Sequence, residues 1–399
     1  MRAEHRSDSG RKVGFRTLLQ WGCTAHRSPF CGIVPTDAVK SGLTCDHIER
    51  DMCFNEAVTV EWSFAMDSNS LITSPVLRLP VASMRSVFSA GDVERKMTKL
   101  QASGNQRELG SLMATYERML ERGPDRFHVK PSGVPDMGSL YDALPNFTEA
   151  LDDVKRHVAL SQDCAEGLEV TPMLLLGPPG VGKTHFARQL AALLGTGMNL
   201  VPMSSMTAGW LLSGSSSQWK GARPGKVFEA LVDGQYANPV LVVDEVDKAS
   251  TDAQYDPLGA LYSLLEHDSA QDFVDEFAEV AIDASQVIWI LTANDERSIP
   301  EPILNRMNVY AIDPPTPEAA RRIARNLYQS IRTEHGWGQR FAAEPSDDVL
   351  DQLATLAPRE MRRALMTGFG NARLAGRDAI EAEHLPRPGN AKTRMGFVQ

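Results

Sequence analysis

Short apolar runs alternate with amphipathic segments through the middle of the chain. The runs read MLLL, MNLVPM, VLVV and VIWILTA, and the intervening segment HFARQLAALLG has the apolar spacing of a helix. Another amphipathic segment, FTEALDDVKRHVAL, precedes the first run and carries Leu151, Val154 and Val158 on one side. This alternation predicts an α/β domain with a parallel sheet covered on both faces, which we assign to residues 136–313.

The flanking regions show helical spacing without strands. Before the sheet region the apolar positions are Val93, Met97 and Leu100, then Leu109, Leu112, Met113, Tyr116, Met119 and Leu120. After it they are Ile323, Leu327 and Ile331, then Leu350, Leu353 and Leu356, then Met361, Leu365 and Phe369. We predict a helical hairpin and linker over residues 80–135, with GPDRFHVKPSGVPDMGS as the linker, and a small all-helical domain with a tail over residues 314–399.

Residues 1–79 precede the first predicted element, and residues 1–65 have no sustained helical or strand period. We expect a disordered tail there, or a stretch read in ahead of a true start at Met66. Four of the five cysteines lie in this region without a C-x-x-C pair, which favours reduced thiols over a zinc site. The Arg-rich start lacks the apolar core of a secretory signal, so we expect a cytoplasmic protein.

The composition and net charge of the chain argue against two classes of partner, membranes and nucleic acids. The chain has 399 residues, of which 42% are hydrophobic and 23% charged, as in ordinary globular proteins. No apolar run approaches the ~20 residues that cross a bilayer, so no membrane partner is expected. The formal net charge of −10 argues against sequence-independent binding of nucleic acid.

A phosphate-binding loop follows the run MLLL. The sequence GPPGVGKT matches G-x-x-x-x-G-K-[ST] and leads into a predicted helix, the context in which backbone N–H groups cradle phosphates. Its members are Gly177, Pro178, Pro179, Gly180, Val181, Gly182, Lys183 and Thr184. We predict that it binds ATP, with Lys183 on the β- and γ-phosphates and Thr184 on Mg²⁺.

Polar residues end two of the later strands. Asp244 and Glu245 follow VLVV, at the sheet edge where ligands bind in such folds. Asp244 suits the Mg²⁺ shell, through water, and Glu245 suits the general base that activates a water. Asn294 follows VIWILTA and is predicted to hold that water. Asp247 and Lys248 receive no role.

These elements, in this order, resemble the AAA+ ATPases. The stretches NPVLVVDEVDK, DPLGALYSLLE, LTAN and IPEPILNRMNVY are similar to the ATPase module of Lon-type proteases, over roughly residues 146–385. The resemblance implies a nucleotide domain, a helical lid and a homo-oligomeric, hexameric ring. It also implies that Arg306 is an arginine finger acting on the neighbouring subunit and that Arg359 is the nucleotide-sensing lid arginine, although two further arginines crowd Arg359.

A tryptophan occurs in the Gly- and Ser-rich segment SSSQWKGARPGKV. By the same resemblance, Trp219, Lys220 and Gly221 form the loop that grips a threaded polypeptide in the central pore, with Lys220 in place of an apolar residue. Gly221 is expected to let this loop move. The alternative is that Trp219 packs against the body of the domain. Trp210 is interpreted as a core residue.

Together these features predict an ATPase that remodels or unfolds proteins by pulling polypeptide through a ring, with a protein substrate or adaptor as partner. A nucleic-acid motor or loader and a nucleotide-dependent assembly switch remain alternatives. The chain ends soon after the predicted lid, so we expect no peptidase activity from it.

Overall fold

The computed structural model describes residues 81–102, 110–162, 167–203, 210–249 and 256–386. The predictions for the first 79 residues, including the start at Met66 and the state of the N-terminal cysteines, lie outside these ranges. Among the helices that the described ranges contain, none has the length and apolar character of a membrane span.

Nine strands and twelve α-helices make up the described part of the chain. The strands are β1 (Val81–Ser86), β2 (Asp125–Lys130), β3 (Met173–Leu176), β4 (Met198–Pro202), β5 (Val240–Asp244), β6 (Phe273–Val274), β7 (Ala281–Ile282), β8 (Ile288–Ala293) and β9 (Asn308–Ala311). The helices are α1 (Ala90–Ala102), α2 (Gly110–Arg122), α3 (Gly138–Ala143), α4 (Thr148–Leu160), α5 (Lys183–Leu194), α6 (Lys226–Leu231), α7 (Leu261–Leu264), α8 (His267–Ala270), α9 (Glu301–Leu304), α10 (Pro317–Glu334), α11 (Asp347–Ala354) and α12 (Pro358–Leu374).

A five-stranded parallel sheet lies at the centre, in the order β4-β5-β8-β3-β9. Its first four strands are the four apolar runs of the sequence, so the predicted α/β fold class is confirmed. The fifth strand, β9, was not predicted. It is an edge strand in which only Tyr310 is buried, and an edge strand of this kind has no continuous apolar run to reveal it.

Both faces of the sheet are covered, as the sequence predicts. Along β5, Val240 and Val242 enter the core that contains α4 and α5, while Leu241 and Val243 enter the core on the opposite face. This two-residue alternation is the period of a strand whose successive side chains point to opposite faces. Because both faces of the strand are buried in apolar cores, every residue of the run VLVV is apolar.

The segment before the sheet domain contains more than the predicted helical hairpin. Helices α1 and α2 are flanked by β1 and β2, which pair antiparallel. The N–H of Phe127 also donates to the carbonyl of Gln235 at 2.9 Å, and the side-chain oxygen of Asn238 accepts from the N–H of Val129 at 3.1 Å. The interpretation of residues 125–130 as linker is therefore wrong, because these long-range bonds make them a strand.

The three helices after the sheet form a separate apolar core. Tyr328 of α10, Leu350 and Leu353 of α11 and Leu365 of α12 are fully buried in it. Its members recur at the helical spacing from which these helices were predicted. The first turn of α12 lies beside the loop that precedes α5, and this places the helical region next to the candidate site.

Candidate functional site

The loop between β3 and α5 has the backbone that a phosphate-binding loop requires. Gly180 and Gly182 have φ angles of 88° and 110°, a conformation that side chains other than that of glycine rarely adopt. Gly182 directly precedes α5, so the unpaired N–H groups of the first helical turn open at this loop. Val181 is buried, Pro178 and Pro179 are exposed, and Thr184 lies half-buried in the first turn.

The Lys183 side chain crosses the loop and is almost fully buried. Its ammonium donates to the carbonyl of Gly177 at 2.5 Å and to the side-chain oxygen of Asn294 at 3.0 Å. Burial lowers the pKa of the Lys183 ammonium, and three nearby carboxylates act in the opposite direction. The structure thus brings two predicted site residues, Lys183 and Asn294, into direct contact.

Asp244 and Glu245 stand at the carboxyl end of β5, the edge at which the phosphate loop also lies. Glu245 has a φ of 58°, and positive values are uncommon for non-glycine residues. Its N–H donates to the hydroxyl of Thr292 at 3.0 Å, and that hydroxyl donates to Asp244 Oδ1 at 2.5 Å. One buried hydroxyl therefore holds the Asp244 carboxylate and the strained backbone of Glu245 in a common geometry.

Thr292 is a site residue that the sequence analysis missed. It lies in β8, two residues before Asn294, and is fully buried. Within the apolar run VIWILTA a threonine is an ordinary strand residue, because β-branched side chains favour strands. Only the parallel pairing of β5 with β8 brings its hydroxyl to Asp244.

Arg359 lies at the start of α12, where it faces the phosphate loop. A Cβ atom built on Gly180 would lie 3.7 Å from Cβ of Arg359. The two arginines that crowd it in the sequence are engaged elsewhere: Arg362 pairs with Glu334 at 2.6 Å, and Arg363 lies 3.8 Å from an acidic residue of its own helix. Arg359 has no such ion pair within the described ranges, which favours it as the lid arginine.

Arg306 lies apart from this cluster. Its guanidinium pairs with Glu266 at 2.6 Å, donates to the carbonyl of Pro302 at 2.5 Å and lies 6.0 Å from the centre of the Tyr262 ring. None of these contacts, all within the described part of the chain, involves the phosphate loop. The structure therefore does not bring Arg306 to the site of its own subunit.

Residues 215–223, here called the Trp219 loop, form a loop closed by hydrogen bonds between its two ends. The N–H of Ser215 donates to the carbonyl of Arg223 at 3.1 Å, which closes the neck. At the tip the N–H of Ala222 donates to the carbonyl of Trp219 at 3.1 Å, and Gly221 has a φ of 83°. Gly221 thus occupies the position of a turn that needs a positive φ, and the movement expected of it stays a prediction.

Trp219 is 48% exposed at the tip. Its ring meets that of Trp210 edge-on, with centroids 5.0 Å apart. Trp210 is half-buried, so its interpretation as a core residue is wrong. Instead it contacts the Trp219 ring edge-to-face, and about half of the Trp219 surface stays accessible.

The region that contains the phosphate loop, Asp244, Glu245 and Asn294 is similar to known proteins. Residues 173–313 match the family described as "ATPase family associated with various cellular activities (AAA)". The Lon protease of Chlamydia trachomatis is 37% identical over 162 residues, covering 40% of this chain and 20% of that protein. The Lon protease of Malacoplasma penetrans is 31% identical over 246 residues, covering 60% of this chain and 31% of that protein. The chain spans less than a third of the length of these two curated relatives.

Solved structures to which the chain is similar include the closed state of Hsp104 with ATPγS and FITC-casein, at a TM-score of 0.46 and 18% identity over 59% of this chain and 47% of that one. A RuvB variant of Thermotoga maritima has a TM-score of 0.40 and 15% identity over 64% of this chain and 71% of that one. The assignment of the fold rests on the family match and on the strand order of the parallel sheet. Residues 173–313 thus match the AAA family of ATPases, and the chain resembles the ATPase module of Lon proteases.

Proposed function

We propose that this chain is an ATP-hydrolysing AAA+ protein that assembles into a homo-oligomeric, hexameric ring and pulls polypeptide through its pore in the cytoplasm. The observation that carries the proposal is that four predicted site residues lie at one sheet edge. Lys183 contacts Asn294 there, and the Thr292 hydroxyl links Asp244 to the backbone of Glu245. The expectation that the chain has no peptidase activity stays a prediction.

The residues at this edge fit ATP with Mg²⁺. A buried ammonium and the free N–H groups of the first turn of α5 suit phosphate oxygens. The Thr184 hydroxyl and the Asp244 carboxylate are oxygen ligands of the kind that Mg²⁺ prefers. Within the described ranges no three His, Cys, Asp or Glu side chains form a metal site of their own, so the ion would bind together with the phosphates. Bound Mg²⁺ neutralises charge on the phosphates.

The chain's own groups supply the remaining chemistry. Lys183 would leave its carbonyl partners and bind phosphate oxygens. Glu245 would accept the proton of the attacking water, and Asn294, which already contacts Lys183, would orient that water. Arg359 would reach the phosphates from the lid. The contacts of Arg306 outside its own site support its action on a neighbouring subunit, as a ring requires.

Removing the Thr292 hydroxyl is expected to impair turnover. Thr292→Val keeps the shape but leaves Asp244 and the Glu245 N–H without their shared partner, so we expect turnover to fall about 5- to 150-fold, as a change of 1–3 kcal/mol would give. Thr292→Ser, which retains the hydroxyl, should keep most of the activity. Phosphate release at saturating ATP, together with thermal unfolding, measures both effects. A Val variant with wild-type turnover would contradict this role.

The polypeptide-pulling part of the proposal is tested at Trp219. Trp219→Ala is expected to raise the concentration of unfolded polypeptide that half-stimulates ATP turnover by about tenfold, since buried aromatic anchors dominate such contacts. Basal turnover and ATP binding should not change. Phe127 on β2 is 49% exposed and makes Phe127→Ala a matched control. Equal stimulation of the Trp219 variant and the wild type would refute the gripping role.

One observation favours the nucleic-acid alternative: two basic residues of the Trp219 loop are exposed, Lys220 at the tip and Arg223 at the neck. Single-stranded nucleic acid is bound by such combinations of positive charge and aromatic rings. The net charge of −10 argues against it. Titrating ATP turnover with single-stranded DNA in parallel with polypeptide separates the two functions, because stimulation by DNA alone would replace our proposal.

A further inference from the structure

We propose that the Trp219 loop selects acidic segments of polypeptide. This inference rests on the proposed function, because it assigns a substrate class to the loop that the proposed function assigns to polypeptide. It is carried by three features: an anchored base, a loop whose charged side chains are all positive, and an exposed aromatic ring next to one of those charges.

The base of the loop is anchored by a buried carboxylate. Asp275 is completely buried and accepts hydrogen bonds from the backbone N–H groups of Gly225 at 2.8 Å, Phe277 at 3.0 Å and Ala278 at 2.9 Å. Burial raises the pKa of Asp275 to about 6, although these three donors act in the opposite direction. Since Gly225 lies two residues after the loop, the carboxylate ties the end of the loop to the segment between β6 and β7.

A second contact holds the other end. The Ser213 hydroxyl donates to Glu276 at 3.1 Å, and the N–H of Glu276 donates to the Ser213 carbonyl at 2.7 Å. Both ends of the loop are therefore attached to consecutive residues, Asp275 and Glu276. With its base attached and its neck closed, the loop presents its tip outward, and Gln218 through Gly221 are exposed.

The loop and its flanking residues carry positive charge without an acidic counterpart. Residues 213–225 contain Lys220 and Arg223 and no Asp or Glu. Both basic side chains are exposed, and in the part of the chain that the structure describes neither forms an ion pair. Lys226, just after the loop, differs because it pairs with Glu229. The two loop charges are thus available to a ligand.

Charge and ring together define the class of segment that fits. Carboxylates of a polypeptide would be attracted to Lys220 and Arg223 while its apolar or aromatic side chains contact the accessible part of Trp219. Lysine-rich segments would be repelled. In a ring the same two charges recur in every subunit around one pore, so their potentials add along a single threaded segment. The basic side chains at positions 220 and 223 therefore give the loop a charge preference.

The test is binding of three labelled, unstructured peptides of equal length and Phe content that carry Glu, Gln or Lys at the same positions. Fluorescence anisotropy with the full chain and ATPγS measures binding without turnover. We expect the Glu peptide to bind about fivefold more tightly than the Lys peptide at low salt, since exposed ion pairs are individually weak, and the difference to shrink as salt is added.

A charge-reversed variant provides the decisive comparison. Lys220→Glu with Arg223→Glu should reverse the order, so that the Lys peptide binds best. Lys99→Glu with Lys155→Glu changes the net charge equally at exposed positions on α1 and α4, and should keep the wild-type order.

The outcomes separate this inference from the proposed function. Equal binding of the three peptides, or an unchanged order in the charge-reversed variant, would overturn the charge preference and leave polypeptide pulling intact. Failure of every peptide to bind would overturn both. Tighter binding of single-stranded DNA than of the Glu peptide at the same salt would mean that the loop's charge serves nucleic acid instead.

Discussion

Replacing Glu245 by Gln is expected to reduce ATP turnover by about 100- to 10,000-fold, which is the contribution of a general base. ATP binding should be retained. Gln has the size of Glu but cannot accept the proton of the attacking water. The φ of 58° at Glu245 supports this role, since a non-glycine residue in this region costs of order 1–3 kcal/mol and persists where the surroundings hold it. Phosphate release at saturating ATP, with a fluorescent nucleotide titration for binding, measures both quantities.

The matched control is Glu296→Gln, at the same edge of the sheet. Glu296 is exposed, lies two residues after Asn294 and begins a short 3-10 turn. Its replacement removes the same charge near the site and should leave turnover within about twofold of the wild type, as surface substitutions usually do. Equal losses in the two variants would indicate that charge near the site, and not a base at position 245, is what matters.

Replacing Arg306 by Ala is expected to reduce turnover by about 10³-fold or more, the effect of losing an arginine finger, again without loss of ATP binding. Within the described ranges the guanidinium contacts Glu266, Pro302 and Tyr262 and not the phosphate loop of its own subunit. We therefore expect it to act on the nucleotide of a neighbouring subunit. The exposed Arg297, which pairs with Asp295 at 2.7 Å, offers Arg297→Ala as a control that should remain active.

Action on a neighbour can be tested by mixing two inactive variants. The Lys183→Ala subunit binds no phosphate but keeps Arg306, whereas the Arg306→Ala subunit binds ATP but lacks the finger. In a head-to-tail ring with random 1:1 mixing, about a quarter of the sites pair an intact loop with an intact finger. We expect turnover to return to about that fraction of the wild type. Mixtures as inactive as the two separate variants would contradict a finger acting between subunits.

The sequence predicted the features that depend on local pattern. The four buried strands were visible because each is an apolar run of strand length, and the phosphate loop was visible because GPPGVGKT follows one run and precedes a helical segment. The structure confirms that these strands are parallel and share one sheet. The order of the strands could not be read from the chain, because it depends on which distant segments pair.

The features that escaped prediction depend on long-range contacts. The strand β2 reads as linker, since Gly123-Pro124 and Pro131 bracket a short polar stretch, and it becomes a strand through pairing with β1 and with residues near Tyr236. The Thr292 hydroxyl and the Asp275 carboxylate acquire their roles from partners on other elements. An aspartate such as Asp275 is expected at the surface from sequence alone. Only the structure shows the three backbone N–H groups that donate to its carboxylate and compensate for its burial.

The measurement that tests the central claim most directly is steady-state phosphate release from ATP by the full chain, compared with Lys183→Ala. Lys183 contacts Gly177 and Asn294 at the proposed phosphate site, so its loss removes the ammonium from that site and leaves the fold's core intact. The account predicts Mg²⁺-dependent turnover that is lost in the variant. Phosphate release that is equal in both proteins, or absent from the wild type at every protein concentration and with every polypeptide tested, would contradict it.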